Sequence, residues 1–238
     1  MTMTDAEARI ADAALVFAKA NRKSIARGLT DPEVYSAESQ PVSVFMAGSP
    51  GAGKTEASIE LIGRFTGWPV LRIDPDELRE EFPGYDGGNA WLFQTAVARL
   101  VDAVLDQAFH KDLSFVLDGT FASYEVARKN VQRSFDDGRR VQILYVYQDP
   151  MLAWGFVQAR ESAEGRRIRP EHFIQQYFGA RDVVNRLKSE LGSVLHVDLL
   201  MKNNDNSHRF YMAGVDRIDF HIPERMTRAE LEQRLGLA

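Results

Sequence analysis

The sequence has no cysteine among its 238 residues. That absence excludes disulfides, thiolate zinc sites, a cysteine nucleophile and iron–sulfur clusters, and it suits a reducing compartment. Also missing is any run of about 18 apolar residues that could span a bilayer. The amino terminus carries Asp5, Glu7 and Asp12 and no basic segment before an apolar core, so it does not read as a secretory signal. A cytoplasmic protein without a membrane partner is expected. There is no excess of positive charge: 29 Lys and Arg against 34 Asp and Glu leave a net of -5. A broad field for nucleic acid is therefore lacking, and none is expected as a partner. The five histidines form no pair spaced like zinc ligands. Internal repeats, low-complexity tracts and long linkers are absent too.

What remains is a globular composition, 45% hydrophobic and 26% charged. Thr4 and Glu7 match a capping box opening an alanine-rich helix to about Arg27, with Ile10, Ala14, Phe17 and Ala18 on one stripe. A short helix is expected from Asp31-Pro32-Glu33. Apolar runs at Val42–Ala47, Val70–Ile73, Leu113–Leu117, Val141–Tyr147 and Val194–Leu199 read as strands buried on both faces. Helical patterns alternate with them at 55–65, 89–109, 124–135, 150–165 and 170–191. This predicts an α/β three-layer sandwich around a mainly parallel sheet. After the polar run Lys202–Asn206, a hairpin of 209–212 with 217–222 and a helix capped by Thr227 and Glu230 are expected.

Gly48-Ser49-Pro50-Gly51-Ala52-Gly53-Lys54-Thr55 fits G-x-x-x-x-G-K-[ST] completely, between a strand and a helix. Its glycines let backbone amides curl around phosphate, and the helix adds its positive end. Lys54 would contact the β- and γ-phosphates of ATP and Thr55 would ligate Mg²⁺. Phe115-Val116-Leu117-Asp118 resembles the strand ending in a Mg²⁺-associated acid. Asp118 could equally cap the turn before Thr120. No guanine-selecting Asn/Thr-Lys-x-Asp is present, and the length suits a small-molecule kinase. Residues 41–200 then form the P-loop kinase domain, 1–40 a helical extension and 201–238 an appendage.

Ile73-Asp74-Pro75-Asp76-Glu77-Leu78-Arg79 follows the second strand. Asp74 as N-cap, Pro75 at the first helical position and Glu77 closing a capping box explain three residues without chemistry. Asp76 is left over, at a strand end facing the ligand crevice, where a carboxylate can orient a substrate hydroxyl and accept its proton. Arg160, Arg166, Arg167 and Arg169 would be an ordinary solvated cluster anywhere else. They fall instead on the connection that carries the lid in small P-loop kinases, where guanidinium groups match the charge of a transferring phosphoryl group. Arg79 and Asn89 are candidates to line the acceptor cleft.

Taken in order and spacing from Val42 to Leu191, these motifs resemble the zeta toxin (PezT-like) kinases. The resemblance implies an ATP- and Mg²⁺-dependent kinase that phosphorylates the sugar 3'-hydroxyl of UDP-N-acetylglucosamine and so blocks peptidoglycan synthesis. It implies Asp76 as general base, Arg160 and Arg167 as charge-stabilising residues, and Thr120 as a contact to the UDP-sugar. Asp118 stands where that family carries a glutamate, one methylene longer. The resemblance also implies an antitoxin partner, a role that the N-terminal helix could play within the chain if it does not simply pack against the sheet. Two other accounts of the residues stay open: a kinase of another hydroxyl, on an antibiotic, nucleotide or dinucleotide, and a nucleotide-dependent binding module.

Overall fold

The structure is a computed structural model that describes residues 3–203, 209–223 and 226–237. Strands β1 (Val42–Ala47), β2 (Leu71–Ile73), β3 (Phe115–Leu117), β4 (Arg140–Tyr147), β5 (His196–Lys202) and β6 (Arg209–Met212) form one sheet in the order β2-β3-β1-β4-β5-β6. The first five are parallel, as expected for strands that are apolar on both faces. Helix α1 (Asp5–Leu29) leads the chain, and α2 (Lys54–Gly63) follows β1 directly. Next come α3 (Pro75–Arg79), α4 (Gln94–His110), α5 (Tyr124–Asp136), α6 (Pro150–Glu164), α7 (Pro170–Leu191) and α8 (Arg228–Arg234). One sheet face packs on α4, α5 and α7 through residues such as Phe45, Phe115, Leu100, Val131 and Leu187. The other face, including Met46, Val146 and Leu200, packs on Ala57 of α2. These are the three layers of an α/β sandwich.

The Thr4 capping box forms as expected: its side chain accepts from the Glu7 amide while Glu7 accepts from the Thr4 amide. Helix α1 packs on α4, burying Ala14 and Ala18 in the main core, but Ile10 of the expected stripe faces solvent. Small side chains let the two helices approach closely. Phe17 meets Phe82 with ring centroids 5.3 Å apart, and Phe82 meets Phe93 at 5.6 Å, joining α1 to the segment after α3.

Two local expectations are corrected. Residues 31–35 form a turn rather than a helix: the Asp31 carboxylate accepts from the Glu33 amide, and its carbonyl accepts from the Val34 and Tyr35 amides. The C-terminal hairpin is made by β5 with β6, Lys202 opposite Arg209 and Leu199 opposite Met212. The expected second arm at 217–222 is a 3₁₀ turn at Ile218–Phe220. Side chains of α7 hold that turn: Asn185 accepts from the Ile218 amide at 2.8 Å and donates to Asp219, which also pairs with Arg181. Residues 204–206 of the polar run lie outside the described residues. Among the described residues, no helix is long and apolar enough to cross a membrane.

Candidate active site

The carboxyl ends of β1 to β5 open into a cleft of about 690 Å³ lined by the P-loop, Asp74, Asp76, Asp118, Thr120 and the segment 156–168. Ligand crevices of parallel sheets lie at this edge, at the point where the strand order reverses, and here β2 and β3 lie on one side of β1 and β4 on the other. No residue of α1 lines the cleft.

The donor side is built from backbone. Gly51 has φ +72°, and a Cβ there would run into the Ala153 carbonyl oxygen of α6. Only glycine gives both the left-handed conformation and the close approach. The Gly48 amide donates to the Thr120 carbonyl at 3.2 Å, which ties this loop to the loop after β3. Gly53 opens α2 without a side-chain cap, so the first amides of that helix face the cleft. Lys54 Nζ donates to the Gly48 and Ser49 carbonyls at 3.1 and 2.7 Å. Removal from water pulls its pKa down to about 8, with the charges of Asp118, Asp76 and Asp74 working upward and Arg160 downward. Lys54 therefore waits among weak acceptors, positioned for an anion stronger than a carbonyl. The Thr55 hydroxyl has no hydrogen-bond partner among the described residues. Glycines that leave no room for a Cβ, an open helix end and a poorly solvated lysine fit a nucleotide polyphosphate.

The acceptor side is built from side chains, and Arg72 is its centre. This β2 residue donates to Asp74 Oδ2 at 2.5 Å, Glu77 Oε1 at 2.5 Å, Asp118 Oδ2 at 2.8 Å and Ser58 Oγ at 3.0 Å. Burial works against its charge, but the hydrogen bond it donates to Asp118 and the charges around it win and raise its pKa. Ser58 Oγ also donates to Asp118 Oδ2 at 2.9 Å. Oδ1 of Asp118 is left for a cation or its water. Asp74 caps α3 through the Asp76 amide at 2.8 Å. Glu77 does not complete the expected capping box, because Arg72 takes its carboxylate. Burial holds the Asp74 carboxyl above the ordinary carboxylate range.

Asp76, the second residue of α3, is half-exposed to the cleft. Oδ1 pairs with Arg79 Nη1 and Oδ2 with Arg166 Nη1 at 3.1 Å. Burial alone would raise its pKa, but Arg79, Arg166 and then Arg160 outweigh it and lower it. Arg79 lines the cleft as expected, with Nε buried and lacking a hydrogen-bond partner. Asn89 does not: its side chain donates to the Gly84 carbonyl and exchanges bonds with Asp86, closing a loop. Of the lid arginines, Arg160 lines the cleft and its charge reaches both Lys54 and Asp76. Arg166 is the one that reaches Asp76. Arg167 lines the rim, 67% exposed, with Nε 3.6 Å from Glu161. Arg169 lies over the Trp91 ring at 5.0 Å, and Trp91 also lines the cleft.

The model of the Zeta toxin family matches residues 25–216 of the chain. The chain belongs to the zeta toxin family. The fold is shared with a solved structure: a chain from the PezAT chromosomal toxin–antitoxin system of Streptococcus pneumoniae superposes with a TM-score of 0.67 at 19% identity, covering 99% of this chain and 95% of that one. The AvrRxo1-ORF1:ORF2 complex with ATP superposes with a TM-score of 0.56 at 13% identity, over 95% of this chain and 71% of that one. No curated protein sequence matches. Zeta toxin family membership, with a complete phosphate loop in a P-loop kinase fold, makes the chain a phosphotransferase of the toxin type.

Sequence reasoning did not single out Arg72, Ser58 or Lys202, and it left Arg166 unassigned within the arginine cluster. Each is an ordinary residue in its local pattern. A charged residue at the middle of a three-residue buried strand is the signal that could have exposed Arg72.

Proposed function

We propose that the chain transfers the γ-phosphoryl group of ATP to the sugar 3'-hydroxyl of UDP-N-acetylglucosamine. The observation that carries this reading is the meeting of Asp76 with Arg79, Arg166 and Arg160 across one cleft from the Lys54 loop. Residues 48–55 hold the ATP phosphates, Lys54 by charge and the glycine-rich loop by its amides. Thr55 and the free oxygen of Asp118 are the residues that would hold Mg²⁺, which when bound neutralises phosphate charge and aligns the terminal group. Arg72 and Ser58 fix the Asp118 carboxylate for that task.

Asp76 Oδ orients the acceptor hydroxyl and receives its proton as the new P–O bond forms. Phosphoryl transfer has a loose transition state, so an ionised, well-placed carboxylate serves without elevated basicity. Arg160 of α6, with Arg166 and Arg167 on the α6–α7 connection, supplies charge to the equatorial phosphoryl oxygens, with Arg166 moving from Asp76 when the phosphoryl group arrives. Thr120 and Arg79, at the β2–β3 end, contact the UDP-sugar. Residues 41–200 act as the kinase domain, with 1–40 and 201–238 as its flanking extensions. An antitoxin protein is the partner this reading assigns, by analogy with the PezAT system, and the cytoplasm the location.

Incubation of the chain with labelled ATP, Mg²⁺ and a metabolite panel tests the reading. The expected product is singly phosphorylated UDP-N-acetylglucosamine. Labelling of an antibiotic, nucleotide or dinucleotide instead would replace the acceptor, and ATP binding without acceptor-dependent ADP release would replace the activity.

A further inference from the structure

Lys202 ends β5 and is only 6% exposed, yet its ammonium has no hydrogen bond or ion pair among the described residues. The residue lines the cleft, so this half-buried ammonium is placed to meet an anion there. The position is specific. A Cβ on Gly53 would strike Lys202 Nζ and lie 3.0 Å from its Cδ and Cε. Gly53 is thus glycine for two reasons, its φ of +81° and the lysine stem lying against it. Gly53 is also the uncapped start of α2. The ammonium therefore adds to the positive end of a helix rather than opposing it, and the arrangement is favourable only with an anion between them. Glu56, the nearest acid felt by Lys202, acts through space and is exposed.

The two lysines approach the loop from opposite directions. Lys54 senses Asp118, Asp76 and Asp74, the β2 and β3 acids. Lys202 comes from β5, on the far side of β1 and β4 in the strand order. The acceptor and the transferring phosphoryl group belong to the Lys54 side. What lies between Lys202 and the Gly53 amide is then the part of the polyphosphate nearer the nucleoside.

We propose that Lys202 is a nucleotide-binding residue whose ammonium contacts the α- and β-phosphates of the donor, the part shared by ATP and ADP. This rests on the proposed kinase reading for the identity of the donor. The contact is a charge-assisted hydrogen bond on the cleft wall, of a kind whose loss weakens binding by about ten- to a hundredfold.

Calorimetric titration of the full chain with ATP and with ADP, each with Mg²⁺, tests it. Lys202→Met is expected to weaken both nucleotides by the same factor, about ten- to a hundredfold, and Lys202→Arg to restore most of the loss. Lys54→Met is expected to weaken ATP more than ADP. Wild-type-like affinity in Lys202→Met, or a loss confined to ATP, would overturn the assignment. If Lys202→Met does not fold, Lys202→Gln is read by the rise in Tm on adding ADP, and an undiminished rise overturns it equally. A wild-type chain that binds neither nucleotide would bring down the kinase reading and this proposal together, whereas normal binding by the variants removes the proposal alone.

Discussion

The two halves of the cleft are made of different material. On the donor side, one segment of eight residues supplies the backbone cradle for phosphate, and its shape is a matter of glycine dihedral angles and a helix start. On the acceptor side, Arg72, Asp74, Asp76, Arg79, Asp118 and Arg166 come from β2, α3, β3 and the α6–α7 connection, and ion pairs hold them. A backbone cradle is complete before its ligand arrives. An ion-pair network must exchange partners to admit one. The donor half should therefore respond to shape and the acceptor half to charge.

The contrast is most exposed at Asp76. Asp76→Asn keeps the shape and removes the base, and acceptor-dependent ADP release should fall by about 10²- to 10⁴-fold while ATP still binds. Near-full turnover would show that the acceptor half does not work through this carboxylate. Next, Gly51→Ala adds one methyl group and no charge. With a left-handed φ and the Ala153 carbonyl in its way, ATP affinity should drop on the order of a hundredfold or more by direct titration. An unchanged affinity would mean the cradle is soft.

Arg72→Met asks whether the acceptor network is also structural. It strands Asp74 and Asp118, both nearly buried, at a cost of about 3 kcal/mol in denaturant unfolding. The sign of its pH dependence follows from Asp74, already raised by burial. Without the arginine the native state holds protons that the unfolded state has released, so the variant's deficit should shrink as pH falls toward about 4. A deficit that grows on acidification would refute the pairing.

In the donor half, Lys54 titrates within reach of ordinary buffers. Lys54 has its pKa lowered to about 8, and phosphate binds its charged form. ATP affinity should be level below pH 8 and fall above it, by at most about tenfold per pH unit, and Lys54→Arg should flatten the curve. Outside both halves, Thr4→Ala removes the cap of α1 and should cost about 1 kcal/mol in stability with no change in nucleotide affinity.

The same contrast explains what could be read in advance. The order of strands and helices and the Gly48–Thr55 loop are local patterns, in which neighbours in sequence are neighbours in space. So are the Thr4, Asp149 and Thr227 caps, each closing on a residue two or three positions away. The partner of β6 was misread because β5 and an α7 side chain decide it, and neither is local to 209–222. Arg166 reaches Asp76 across 90 positions of chain, which no spacing rule between motifs could separate from its neighbour Arg167. Lys202 and Gly53 are similarly remote in sequence and touch only because β5 and β1 share one sheet edge.

Under the proposed function, the Asp76–Arg166 pair also governs what the site does with ATP alone. While no acceptor is present, the carboxylate that would activate a hydroxyl is spent on the lid, and the lid arginine that would steady the phosphoryl group is spent on the carboxylate. Each silences the other. Water, small and weakly held, gains little by breaking that embrace, whereas a sugar nucleotide with many contacts can separate the two and set both to work at once. On that reading, the resting arrangement itself restrains idle ATP consumption.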